Sequence, residues 1–126
     1  VDVMPTLASF VGSEIPQDRV LDGVDQSGFL MGKSEKSARE SVVIYIGNEL
    51  FGVKWRNWKM LIKELDEESY AIHNMAYPSI YNLIVDPKEE EPETFYLDDT
   101  WVDAPLWRVI AEHEASIESD SGAPGP

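Results

Sequence analysis

The sequence predicts an α+β fold: a four-stranded antiparallel sheet with a C-terminal helix packed on it, preceded by a short N-terminal helix and a long connection. Three observations carry this. Runs rich in β-branched and aromatic residues fall at 42–46, 49–56, 58–65 and 80–85, the first three joined by two-residue turn signals. From residue 104 to 117 the apolar period changes to that of a helix. Ahead of the strands, one short helical pattern is followed by a stretch with no period at all.

The opening "VDVMPTLASFVG" reads as the short helix. Asp2 can cap it, Pro5 falls in the first turn where its missing N–H is harmless, and Gly12 stops it. Met4, Leu7, Ala8 and Val11 form its apolar stripe. The connection that follows holds Pro16, Gly23, Gly28 and Gly32 without a sustained period. Some of it is expected to be pinned by packing on something else.

"SVVIYI", Gly47-Asn48 and "ELFGVKW" make the first hairpin, with Phe51, Val53 and Trp55 sharing one face. Arg56-Asn57 turns the chain into "WKMLIKEL", completing a three-stranded meander. Residues 66–79, "DEESYAIHNMAYPS", show no clear period and read as a long loop, of the kind that carries contacts or function. Residues 80–85 supply the fourth strand, with Tyr81, Leu83 and Val85 on one face, Ile80 and Ile84 on the other, and cover expected on both. Asp86-Pro87 ends it, and the acid block at Glu89–Glu91 and Glu93 reads as a solvated turn that guards an apolar strand.

In the C-terminal helix, Leu106, Val109, Ile110, His113 and Ile117 line one side, and Arg108, Glu112 and Glu118 the other. Asp103 is positioned as N-cap and Pro105 in the first turn. The division expected is a helix and connecting segment at 1–40, an α+β subdomain at 41–118 and a polar, Pro/Gly-rich tail at 119–126.

Composition narrows the chemistry. Twenty-four acids against ten bases give a formal net charge of −14, which disfavours nucleic acid and anionic membrane surfaces as partners. The chain has no cysteine, so thiol nucleophiles, disulfides and zinc thiolate sites are excluded. No apolar run approaches the ~20 residues that span a bilayer. The start at Val1, without Met or a signal-like segment, reads as that of an excised fragment.

Neither histidine sits at a metal-ligand spacing. His113 reads as a core-edge residue and His73 as an ordinary loop residue. Asp22 and Asp25 in "LDGVDQ" lack the spacing of a calcium loop and read as turn residues. Asp98 and Asp99 fit either an interaction with the following helix dipole or solvent exposure. No acid pair can be singled out from twenty-four carboxylates without geometry.

Taken in order, "DVMPTLASFVGSEIPQDRVLDGVDQSGFLMG", "ELFGVKWRNWKM" and "IYNLIVDPKEE" resemble successive passages of the C-terminal region of the sulfatase (arylsulfatase) family. The resemblance implies part of a sulfuric ester hydrolase, in which a formylglycine nucleophile and calcium act within a large α/β catalytic domain N-terminal to these segments. It also implies a C-terminal four-stranded sheet with a helix against it, a sulfatase catalytic domain as partner, and a periplasmic or secreted location. "SEIPQDR" is similar to the family's C/S-x-P-x-R nucleophile signature, yet each gap is one residue too long. No catalytic residue and no metal ligand of the family therefore carries over, and the chain alone is expected to hold no cofactor. The family's A-V-R arginine is matched by Lys54, which cannot supply planar bidentate pairing.

Within that frame, Tyr70, His73 and Tyr77 of the 66–79 loop are the residues expected at a substrate entrance, because aromatic and imidazole groups suit sugar or aryl surfaces. Met4, Leu7, Phe10, Val11 and Leu21 would lack cover in an isolated chain, which is then expected to form a homo-oligomer. The alternative is a free-standing acidic α+β interaction module that binds a partner by its sheet face or edge.

Overall fold

The computed structural model describes residues 1–17, 21–93 and 100–120. Asp98, Asp99 and residues 121–126 of the expected tail lie outside them. The chain divides into two compact units, Val1–Glu40 and Ser41–Pro126.

In the first unit, α1 runs Val3–Val11 and ends at Gly12, whose φ of 66° is the left-handed conformation that a glycine adopts without strain. The N–H of Ser13 returns to the carbonyl of Ala8 at 2.9 Å and closes the helix. Asp2 stands at the N-cap position, but its side chain makes no capping bond, contrary to expectation. It instead accepts from the backbone N–H of Val24 at 2.9 Å and from the Arg39 guanidinium, at 2.8 Å from Nε and 2.5 Å from Nη2.

The connection is ordered by bonds of this kind. Thr6, buried, accepts from the N–H of Gln26 at 3.0 Å, and the Gln26 side-chain oxygen accepts from Ser37 Oγ and Ala38 N–H. A short helix α2, Ser27–Leu30, forms within it, where Asp25 accepts from the Ser27 N–H at 2.7 Å. Part of the described connection is thus held by its own polar bonds. Among the described residues, polar side chains supply the bonds to Gln26, Ser27 and Ala38 that a segment without apolar period needs.

In the second unit, β1 (Ser41–Ile46), β2 (Glu49–Trp55), β3 (Trp58–Leu65) and β4 (Ile72–Asn82) form one antiparallel sheet in sequential order. Gly47 takes φ 61° in the first turn, and Arg56 takes φ 52° in the second, its guanidinium 4.6 Å from the Trp55 ring centroid. A 3-10 turn at Thr100–Val102 leads into α3, Asp103–Asp120. Val53, Trp55, Met60 and Ile80 of the sheet bury against Val102, Leu106, Val109 and Ile110. Trp101 adds edge-on contacts to Trp55 and Trp58, with centroids 6.4 and 5.9 Å apart. The fold class thus stands as the sequence predicts it.

Two elements differ in their bounds and one residue in its placement. β4 begins at Ile72 and ends at Asn82, so residues 83–85 are turn, and Ile84 and Val85 are 71% and 76% exposed rather than covered. α3 continues through Asp120, past the expected end at 117, because backbone bonding outlasts the apolar stripe; Ile117 is already exposed. Phe51 is buried but stands outside the cluster beneath α3, since the pairing of β1 with β2 slips by one residue between Ile44 and Tyr45.

The acidic segment after β4 folds back on that strand. Glu93 N–H donates to the carbonyl of Ile80 at 2.7 Å in an antiparallel bridge, which partly covers the sheet edge. Asp86 accepts from the N–H of Glu91 at 2.9 Å, and this bond holds its carboxyl below the usual range. Glu89, at φ 60°, pairs with Lys59. The block is a folded turn with one acid turned inward, not wholly a solvated one.

Candidate functional site

Residues 66–79 are not one loop. Asp66 through Ala71 form the turn between β3 and β4, closed by Tyr70 N–H to Asp66 O at 2.8 Å and Asp66 N–H to Ala71 O at 2.9 Å. The Asp66 carboxylate accepts from the N–H groups of Ser69 and Glu68 at 2.7 and 2.9 Å, bonds that keep its carboxyl below its ordinary value. This clamp supports Tyr70 at φ 55°, an uncommon conformation for a tyrosine, with 79% of its surface exposed.

His73 lies on β4 opposite Glu64 and is exposed. Tyr77 belongs to an irregularity in the same strand. Leu61 pairs with Ser79, but two residues on, Lys63 pairs with Asn74, so residues 75–78 bulge out against Ile62 alone. Pro78 suits that place because it has no N–H to give the ladder. The bulge leaves Tyr77 76% exposed.

His73 and Tyr77 are thus strung along an edge strand, with Tyr70 in the turn that starts it. At about 3.3 Å per residue, the backbone distance from His73 to Tyr77 is at most roughly 13 Å. The three residues form a row rather than a pocket, and a row can grip only an extended or flat surface. Nothing in it presents a nucleophile beside a base.

His113 meets its expectation as a core-edge residue. It is half-buried, its Nε2 is 2.9 Å from the Tyr45 hydroxyl, and the two rings meet edge-on at 5.7 Å. Asp22 and Asp25, expected in a turn, lie in a stretch without regular structure, where Asp25 accepts from Ser27. The Lys54 ammonium donates to the carbonyl of Arg56 at 2.5 Å.

In the first unit, the residue that sequence reasoning missed is Asp2. Its hydrogen bonds from Arg39 and then Val24 hold its carboxyl far below the usual range. A cleft of about 580 Å³ borders α1, lined by Pro5, Ala8, Ser9, Ile15 and Asp25 among others. Its polar end is a chain in which Ser9 Oγ lies 3.0 Å from Ser27 Oγ, which donates to Asp25 at 3.0 Å. The hydrogen bonds from Ser27 hold the Asp25 carboxyl below its ordinary value, so it is a weak base toward these hydroxyls.

Among the described residues, no group of three or more histidine, cysteine or acidic side chains stands together as a metal site. With no cysteine and no correctly spaced C/S-x-P-x-R, the sequence offers no side chain for the formylglycine that the resemblance implies. No helix among the described residues is long and apolar enough to cross a membrane.

The architecture is that of a sheet-and-helix region found in sulfatase structures. It is similar to the PsFucS1 sulfatase of Pseudoalteromonas sp., with a TM-score of 0.82 and 21% identity over 98% of this chain and 26% of that one. A second solved structure, described under the metabolism of multiple glycosaminoglycans by Bacteroides thetaiotaomicron, aligns with a TM-score of 0.57 and 24% identity over 94% of this chain. In sequence, the chain is 38% identical to human steryl-sulfatase over 117 residues and 42% identical to human arylsulfatase D over 55. Mouse steryl-sulfatase is 40% identical over 63 residues. No family model matches the chain. The chain is homologous to part of these sulfatases, and the partial match is consistent with a C-terminal region of that family. It spans between 9% and 20% of the length of these three relatives.

Proposed function

We propose that the chain serves as the C-terminal part of a sulfuric ester hydrolase and acts there as a support rather than as the catalyst. The observation that carries this is the 38% identity to human steryl-sulfatase over 117 residues. In this reading, residues 1–40 are the end of the catalytic domain and the crossing out of it, and residues 41–118 are a buttressing subdomain. Calcium and formylglycine belong to the catalytic domain, the partner of this chain.

The β3–β4 turn and the bulge of β4 border the substrate entrance in this account. Exposed Tyr70 and Tyr77, each displayed by a non-standard backbone segment, support it, since bulges and strained residues gather next to sites. Replacing Tyr70, His73 and Tyr77 together by alanine in the longer enzyme is expected to lower kcat/KM by about tenfold, ~1.4 kcal/mol of transition-state binding. An unchanged kcat/KM removes the entrance role. Reading the coding sequence upstream of Val1 tests the larger claim: an in-frame C-x-P-x-R or S-x-P-x-R supports it, whereas a nearby start codon favours a free-standing module.

On its own the chain self-associates through its first helices. Met4, Leu7, Phe10 and Val11 of α1 are 47%, 55%, 46% and 77% exposed, and Phe29, Leu30 and Met31 at α2 are exposed as well. Apolar side chains gathered in such numbers seldom stay bare. Light scattering at high concentration should give more than one chain mass; a single-chain mass rules this out.

A further inference from the structure

The two edges of the sheet are not alike. On the β4 side, Pro78, the bulge at residues 75–78 and the bridge from Glu93 to Ile80 interrupt the ladder and fill part of it. On the β1 side, "SVVIYI" carries no charge and no proline. Gly52 pairs with Ile44 and Leu50 with Tyr45, so the extra residue of that slip, Phe51, belongs to β2 and β1 keeps its alternation. Among the described residues, no backbone group outside β2 bonds to residues 42–46.

Apolar groups gather at this unguarded edge. Val42, Tyr45 and Ile46 are 43%, 42% and 42% exposed. α3 reaches β1 where His113 meets Tyr45, and Ile117, one turn further along the same stripe, is exposed. The apolar layer between helix and sheet thus continues past its last strand.

The strand is also its own complement. Residues opposite each other in an antiparallel ladder share a face, so a two-fold axis relating two copies of β1 must pass through a residue, not between two. Placed at Ile44, the axis pairs Ile44 with Ile44, Val43 with Tyr45 and Val42 with Ile46, and every pair is apolar. One step further, Glu40 comes opposite Asn48, so the flanking acids do not meet. An axis at Val43 would set Glu40 against Ile46, and one at Tyr45 would set Val42 against Asn48.

We propose that β1 is a homodimer interface, at which two copies pair antiparallel about Ile44 and join their four-stranded sheets into one. Five paired residues supply about four to six backbone hydrogen bonds. The contact uses neither α1 nor α2, and it does not rest on the function proposed above.

The absence of cysteine makes the contact readable by disulfide cross-linking of the whole chain. In Ile44→Cys the two thiols meet at the axis. Under a mild oxidant its linked dimer should form at least about tenfold faster than that of Val85→Cys, although Val85 is the more exposed position. Val42→Lys, a charge of the kind that guards natural edges, should slow the Ile44→Cys link by about tenfold. Val42→Cys and Ile46→Cys should each link slowly alone and rapidly when combined in one chain; both positions are exposed, so this pair decides the matter if Ile44→Cys disturbs the fold. Equal rates for Ile44→Cys and Val85→Cys, an unslowed link in the Val42→Lys background, or no gain on combining the two edge cysteines overturns the interface. Association through α1 and α2 alone produces none of the expected differences, and their absence leaves the sulfatase reading standing.

Discussion

Replacing Gly52 by alanine is expected to destabilise the sheet by about 3 kcal/mol or more. A Cβ at this buried position would stand 2.1 Å from the carbonyl oxygen of Met60 and 3.0 Å from the Cα of Leu61. Both are backbone atoms of β3, so neither can swing aside as a side chain tip could. Relief requires parting β2 from β3 at the pair Gly52 with Leu61, next to the pair Val53 with Met60 that forms the floor of the core. For a domain of this size the loss corresponds to a fall in Tm of roughly 10 °C or more. Thermal unfolding followed by circular dichroism measures it, and a Tm within about 2 °C of the parent contradicts the packing described.

Leu106→Ala is expected to cost about 2–5 kcal/mol, the range for emptying a filled core site. Leu106 has no exposed surface and sits in the cluster formed by α3, Val102 and the sheet. Its neighbour Trp107 is 46% exposed on the other side of the helix and is a suitable control. Trp107→Ala should change stability far less. Urea midpoints for the two variants decide this; equal losses would mean that α3 is not seated as described.

What could be read from the sequence follows from where each signal resides. β1 to β3 were legible because β-branched and aromatic runs meet at two-residue turns, and local chemistry settles a hairpin. α3 was legible from one apolar stripe, although its last turn, beyond Ile117, is held by backbone bonds that leave no apolar mark. β4 was misplaced because residues 75–78 interrupt its alternation and Pro78 reads as a break. Tyr70, His73 and Tyr77 were singled out by residue type, but their placement in a row depends on that bulge.

Other features could not be read at all without long-range pairing. Asp2 joins Val24 and Arg39, partners 22 and 37 residues away, so its sequence neighbourhood suggests only a helix cap. The inward turn of Glu89 toward Lys59 spans 30 residues and hides one structural acid within an apparently solvated block. Lys54 and Lys59 become neighbours only through the register of β2 with β3.

In the function proposed above, this chain supports a sulfatase without carrying its chemistry. Hydrolysis of an aryl sulfate by the purified chain, with and without calcium, tests it most directly. The account predicts no turnover above the buffer rate in either condition, and turnover by the chain alone would contradict it.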